Sequence, residues 1–377
     1  MMIIKQSVIE GMVEYVNGSD AVKRHPEEDY QSAKYPEWLP TWDPNETFPA
    51  QPENKGFVDR GLFADPTYPN LFSNNSKFEK IDLTPNFGTE VRSGVQLSQL
   101  NDHAKDELAL LLAERGVVVF RNQDLQDKGL EFNKQFGEYF GPLHIHSFSG
   151  APEKYPQFHI VHRSPDDKMN SKKVTSLHTD VNWEVQTPGV TIFAILEGPP
   201  TGGDTLFVDS QTVYDRLSPR FKKLLEGLSA VHSNVIASNV NGNGFLRTPP
   251  AANSHPLIRI HPVTQKKTIY FSYNFTEELE GLDREESELI LGFLRQKILA
   301  QPDLHLRARW EPSTVVLWDN RRCLHTPILD FEGYARHCYR ITTLAETPVE
   351  KFEDLEDHVQ ELSLKLREKL NISTSDL

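Results

Sequence analysis

The chain has 377 residues, 38% hydrophobic, 10% aromatic and 25% charged, a balance that excludes a disordered chain and gives enough apolar material for one large core or two modest ones. With 40 Lys and Arg against 54 Asp and Glu, the formal net charge is -14, which argues against nucleic acid or an anionic membrane as partner. Two cysteines, Cys323 and Cys338, and no apolar run of membrane-spanning length fit a reducing compartment, so a cytoplasmic protein is expected.

The stretch Met1 to Gly18 mixes Lys, Gln and Glu into its apolar residues and lacks a signal-peptide core. The tail Ser375-Asp376-Leu377 places an acid where a peroxisomal signal needs a base. Residues 25–76 are rich in Pro, Asn and Asp but carry Tyr35, Trp38, Trp42 and Phe48. Disordered tails are poor in aromatics, so we expect an irregular arm wrapped over a domain surface.

Regular structure is predicted from a short strand at Ile81 to Leu83. A helix capped by Ser98 then runs to about Arg115, with Leu100, Ala104, Leu108, Leu111 and Leu112 on one stripe. Gly116 ends it, Val117 to Phe120 is a buried strand, and Leu130 to Phe140 is a second helix closed by Gly141-Pro142. Strands dominate from Phe158. They are predicted at 158–161, 190–196, 205–209, 228–235, 257–261, 268–273, 306–310, 314–318 and 337–344, with helices at 219–228 and about 283–299. Many strands without regular strand–helix alternation predict a mainly β fold with helices, an antiparallel jelly roll.

A last helix, about Asp354 to Leu370, carries Leu355, Val359, Leu362, Leu366 and Leu370 on one apolar stripe. That stripe fits packing on its own domain or a second subunit equally well, and a homo-oligomer, a dimer, is the expectation. The organisation is then an arm over 1–80, a central domain over 81–348 and a helical extension over 349–377.

Chemistry concentrates at Ser176-Leu177-His178-Thr179-Asp180. A His and an Asp two apart on an extended segment point to one face and can share a metal ion. A distal His would complete a set of two imidazoles and one carboxylate, which leaves one side of a six-coordinate Fe(II) open. His255 and His261 are candidates, but His325 alone is followed by arginines at a useful distance, Arg336 and Arg340. Strand alternation puts Arg336, Cys338 and Arg340 on one face. Two inward guanidiniums need anions, either internal carboxylates or a dicarboxylate co-substrate. Thr205, after the turn Gly202-Gly203, is either ordinary hairpin chemistry or a hydroxyl for that same carboxylate. In His144-Ile145-His146 one of the two rings is read as a polar contact to substrate.

These motifs, Gly137 to His146, His178-Thr179-Asp180, Gly202 to Leu206, Trp318 to Arg321 with His325, and the Arg336/Arg340 pair, resemble the taurine dioxygenase and chlorophenoxyacetate dioxygenase family from about Ile81 to Leu344. The resemblance implies a double-stranded β-helix core. It implies an oxygenase using Fe(II), O2 and 2-oxoglutarate, with His178, Asp180 and His325 as iron ligands. Arg336, helped by Thr205, would hold the distal carboxylate of 2-oxoglutarate, and Arg340 with His146 the anionic group of a small substrate. An alkylsulfonate, oxidised to aldehyde and sulfite, comes first; an amino acid or other carboxylate is the alternative. One departure stands out: Val174 occupies the place of an Asn near the substrate of taurine dioxygenase, which weakens the case for taurine itself.

Overall fold

The longest β-branched and aromatic runs become the central strands. The computed structural model of the protein describes residues 27–43, 45–72, 77–165, 177–235 and 246–370. In chain order the strands are β1 (Glu79–Asp82), β2 (Thr89–Ser93), β3 (Val117–Phe120), β4 (Phe158–Arg163), β5 (Pro188–Glu197), β6 (Thr205–Asp209), β7 (Ser229–Ser233), β8 (Ala252–Pro256), β9 (Ile258–Ile260), β10 (Lys267–Ile269), β11 (Thr276–Leu279), β12 (His305–Ala308), β13 (Val315–Asp319), β14 (Cys323–Pro327) and β15 (Arg336–Leu344). The α-helices are α1 (Glu27–Ser32), α2 (Asp102–Arg115), α3 (Gly129–Glu138), α4 (Ser210–Asp215), α5 (Pro219–Leu225), α6 (Arg284–Leu299) and α7 (Asp357–Lys369).

A seven-stranded sheet runs β1-β2-β3-β13-β5-β15-β4. Its pairs are antiparallel except β2 with β3. A second sheet, β12-β6-β14, is fully antiparallel. Period-two alternation sorts the central residues into two layers. Val118, Phe120, Ile192, Ala194, Leu317, Tyr339 and Ile341 pack with Leu108, Leu111 and Leu112 of α2 and Phe136 of α3. Val117, Val119, Phe193, Ile195, Val316, Trp318 and Cys338 pack with Phe207 of β6 and Leu306 of β12. On β15 the second layer is therefore the face of Arg336, Cys338 and Arg340, as alternation predicts.

Most expected elements are present with ends shifted by a few residues. The cap of α2 is a correction: Asn101, not Ser98, accepts the Ala104 N–H at 2.9 Å. Ser98 lies in a 3-10 turn, Leu97–Gln99, and donates to Asp124 at 2.7 Å. The Ser98 hydroxyl is thus engaged across the loop, and Asn is at least as good a cap as Ser. Gly116 ends α2 at φ 72°, where an added Cβ would stand 2.5 Å from the Phe87 ring. The strands β2, β8, β11 and β14 and the helices α1 and α4 have no counterpart in the sequence reading, which expected residues 25–76 to be irregular. The strand segments (TEVRS, ANSHP, TEEL, CLHTP) are too polar to show an apolar period.

The arm does more than lie on the surface. Trp38 is fully buried, stacks on Tyr339 with centroids 4.3 Å apart, and meets Phe158 edge-on at 5.4 Å. Glu107 of α2 accepts from Leu71 N–H at 2.6 Å and Asn70 N–H at 2.9 Å. The stripe of α7 is occupied by its own chain: Leu355, Val359 and Leu366 share a cluster with Leu62, Ala64, Leu110 and Val263. Of the two readings of that stripe, packing on its own domain is the one the structure supplies.

Removing the Trp38 side chain would leave a cavity against Tyr339 and Phe158. Trp38→Ala is expected to lower the unfolding free energy by about 3–5 kcal/mol, measured by chemical denaturation.

Candidate functional site

Two segments far apart in sequence are locked together by a pair of backbone hydrogen bonds. His178 N–H donates to His325 O at 3.0 Å, and His325 N–H donates to His178 O at 2.7 Å. This reciprocal pairing, the closely spaced pair of an antiparallel ladder, places the two rings 4.3 Å apart. Asp180 follows in the turn after His178, and its Oδ1 stands 3.7 Å from His325 Nε2. One ligand atom from each of His178, Asp180 and His325 lies within 4.8 Å of the others. Among the described residues no other group of three His, Cys, Asp or Glu is so placed.

The residues present fit a metal ion. His325 Nδ1 is buried without a hydrogen-bond partner. The Asp180 carboxylate accepts from Thr191 Oγ1 at 2.9 Å on Oδ2 and from Arg340 Nη1 at 2.6 Å on Oδ1. A carboxylate offers about four lone-pair directions, so acceptor capacity is left over. Burial alone would raise the Asp180 carboxyl, but Arg340, helped by His325 and His178, holds it down at about 2. Burial, only partly opposed by Asp180, brings the His325 imidazole down to about 3. A neutral imidazole and an ionised carboxylate are the forms that ligate a cation.

Asn320 holds the carboxylate segment in place. Its amide uses every hydrogen-bonding position. It donates to Gly189 O at 2.9 Å and to Thr191 Oγ1 at 2.8 Å, and it accepts from Asp180 N–H and Trp318 Nε1–H, each at 3.1 Å. Thr191 passes the contact on to Asp180. Val181, next along, adopts φ 36°, a strained conformation for a β-branched residue, of the kind that clusters at functional sites.

The two arginines differ in their surroundings. Arg336 is 4% exposed, its Nε has no hydrogen-bond partner, and it forms no ion pair among the described residues. Its guanidinium lies over the Phe193 ring at 5.8 Å, and the Gly203 backbone packs beside it, so that an added Cβ would be 3.3 Å from Nε. Thr205, also buried, opens β6 two residues after that glycine. Arg340 instead bridges Asp180 and His159, whose Nδ1 accepts from Nη2 at 2.7 Å.

The two rings of the His-x-His segment have different neighbours. His144 Nε2 meets Glu184 Oε1 at 3.0 Å. His146 sits beside His159, ring centroids 4.5 Å apart, and His159 in turn contacts Arg340. The other distal candidates are engaged elsewhere: His261 with Asp319 at 2.9 Å and His255 with Glu184 O at 2.8 Å. His159, Thr191 and Asn320 were missed. His159 meets Arg340 only through the β4–β15 register, a pairing across a sheet that no local sequence pattern marks. Val174 lies within residues 166–176, which with residues 236–245 are outside the described residues.

His255 supplies a pH test. Burial lowers its pKa from 6.5 to about 4. Its neutral form therefore stabilises the fold fully above pH 6.5, and that stability is lost as pH falls towards 4, because the unfolded chain takes up the proton first. His255→Gln is expected to remove about 2 kcal/mol of the fall in unfolding free energy between pH 7 and 4.5, read from denaturation midpoints at both pH values.

A family model described as taurine catabolism dioxygenase TauD, TfdA family, matches residues 79–342. The chain is 42% identical over 338 residues to the alpha-ketoglutarate-dependent sulfonate dioxygenase of Saccharomyces cerevisiae, covering 87% of this chain and 82% of that protein. It is 41% identical over 331 residues to the alpha-ketoglutarate-dependent dioxygenase cnsM of Penicillium expansum, covering 84% of this chain and 90% of that one. The crystal structure of a taurine dioxygenase from Burkholderia xenovorans superposes with a TM-score of 0.60 at 26% identity, covering 76% of this chain and 99% of that one.

Proposed function

Because the chain belongs to the TauD, TfdA family of dioxygenases, we propose that it is an Fe(II)- and 2-oxoglutarate-dependent dioxygenase acting on a small anionic substrate, an alkylsulfonate. The observation that carries this reading is the convergence of His178, Asp180 and His325 on one point, with a buried guanidinium, Arg336, that forms no ion pair among the described residues. Residues 81–348 form the oxygenase unit in this proposal, with the arm and the C-terminal helix packed onto it. The two facing sheets with Phe207, Trp318 and Cys338 between them support a double-stranded β-helix as their arrangement. The two free, buried thiols support a cytoplasmic setting.

The residues divide the work. His178, Asp180 and His325 hold Fe(II), which when bound supplies the O2 chemistry coupling oxidation of 2-oxoglutarate to succinate and CO2 with hydroxylation of the substrate. Arg336 takes the distal carboxylate of 2-oxoglutarate, since its fork makes two charge-assisted bonds to one carboxylate. Thr205 adds a hydroxyl to that carboxylate. Arg340 and His146 take the substrate's anion and so fix which carbon faces the metal site. Hydroxylation at the carbon bearing a sulfonate gives an α-hydroxysulfonate, which breaks its C–S bond to leave an aldehyde and sulfite.

The 42% identity to a protein named as a sulfonate dioxygenase favours the sulfonate. The 41% identity to cnsM, named only as an alpha-ketoglutarate-dependent dioxygenase, supports the second reading, the same oxidation of an amino acid or other carboxylate. Arg340 accepts either anion.

The test is a panel of alkylsulfonates and matched carboxylates assayed for succinate and sulfite together. Stoichiometric sulfite with one or more sulfonates is expected; iron-dependent succinate driven only by carboxylates would replace the first reading with the second. Arg336→Ala is expected to raise the KM for 2-oxoglutarate by at least about tenfold with little change in substrate KM. Arg340→Ala is expected to do the reverse, and the opposite pattern would exchange the two roles.

A further inference from the structure

His146, Ser149, His159 and Arg340 form a continuous hydrogen-bonded chain whose direction is fixed by its Arg340 end. A guanidinium can only donate, so His159 Nδ1, 2.7 Å from Arg340 Nη2, carries no proton. A neutral His159 then has its proton on Nε2, which faces Ser149 Oγ at 3.2 Å. The hydroxyl oxygen accepts there, and its own hydrogen goes to His146 Nδ1 at 2.9 Å. The Phe148 backbone N–H faces the same His146 Nδ1 at 3.5 Å, the outer limit of a hydrogen bond and too long to hold a tautomer by itself. The chain from Arg340 through Ser149 therefore assigns one tautomer, with Nδ1 of His146 bare and its proton on Nε2.

We propose that Ser149 and His159 are positioning residues that hold His146 in the Nε2–H form, so that it donates a hydrogen bond to the substrate's oxyanion beside Arg340 without having to become charged. The inference rests on the functional reading above for the identity of that anion. It goes beyond that reading in making two further residues determine how the anion is held. Burial, reinforced by Arg340, keeps both imidazoles well below their ordinary pKa, in keeping with neutral rings. A site so built offers donors only. It suits a fully ionised sulfonate and rejects a group that must itself donate. The His159 ring also braces Arg340 from β4, so one chain aligns both donors on one anion.

The decisive measurement is histidine-selective nitrogen NMR on the full-length protein, with the His146 signals identified by their loss in His146→Asn. Wild type is expected to show an unprotonated Nδ1 and a protonated Nε2. Ser149→Ala is expected to mix the two tautomers, and Ser149→Thr to restore one. A proton on Nδ1 in wild type, or an unchanged tautomer in Ser149→Ala, would overturn the proposal.

Steady-state kinetics give the second arm. Ser149→Ala is expected to raise the KM for a sulfonate about tenfold, the effect of losing one aligned hydrogen bond, while kcat and the KM for 2-oxoglutarate stay within about twofold. His159→Gln keeps an acceptor towards Arg340 and a donor towards Ser149, so it is expected to behave as wild type, whereas His159→Phe is expected to match Ser149→Ala. Equal rises in both KM values, or a His159→Gln as poor as His159→Phe, would reduce these residues to structural packing. If wild type oxidises no sulfonate, the functional reading fails on its own, and the NMR measurement still decides the tautomer because it needs no turnover.

Discussion

The reciprocal backbone pairing of His178 with His325 is the constraint on which the site depends. The rest of the molecule delivers these two segments to each other. β14 is fixed by its pairing with β6, which also pairs with β12. The His178 segment is fixed by Asn320, directly through Asp180 N–H and indirectly through Thr191. Asn320 in turn hangs from the end of β13, in the middle of the large sheet. The candidate ligands thus inherit their positions from a strand ladder, one backbone pairing and a fully satisfied amide. Such rigidity suits a site whose chemistry tolerates little error in placement.

Charge inside the fold is arranged asymmetrically. Arg321 is almost fully buried but surrounded by Asp319, Asp59 and Glu346, at 2.6, 2.7 and 3.1 Å. Arg259 shares Glu346 at 2.5 Å. These pairs conform to the rule that a buried guanidinium is matched by carboxylates. Arg336, on β15, has no such carboxylate among the described residues. The contrast separates an arginine that holds the fold from one proposed to take an anion, and it appears only when the partners can be seen. The sequence motif around Trp318 to Arg321 therefore serves chiefly as framework: Asp319 secures Arg321 and His261, and Asn320 secures Asp180.

What the chain discloses unaided follows from how each signal arises. Strands buried on both faces, such as Val117 to Phe120, announce themselves because every residue is apolar. The inward face of β15 follows from alternation alone. Strand β14 is silent in the sequence because its two apolar residues, Cys323 and Leu324, stand side by side and pack into different clusters, too few to show a period before His325. The choice of His325 over His255 and His261 rested on the spacing to two arginines, and the structure places the other two on Asp319 and on a backbone carbonyl. His159 and Ser149 were beyond reach because their partners come from β15 and from the segment after His146, and no local pattern encodes a contact made across a sheet. The cap at Asn101 was missed for a simpler reason: two adequate caps stood three residues apart, and only the fold chooses between them.

Tyr339 belongs to the same strand as Arg336 and Arg340 but faces the opposite way, and there it is covered by Trp38. The matched family region begins at residue 79, so a protein cut to that region would keep every candidate ligand while stripping the lid from the back of the strand that carries both arginines. Tyr339 and Phe158 would then lose their aromatic cover directly behind the two arginines. The segment before the matched family region thus supplies part of the packing behind the strand that carries both arginines.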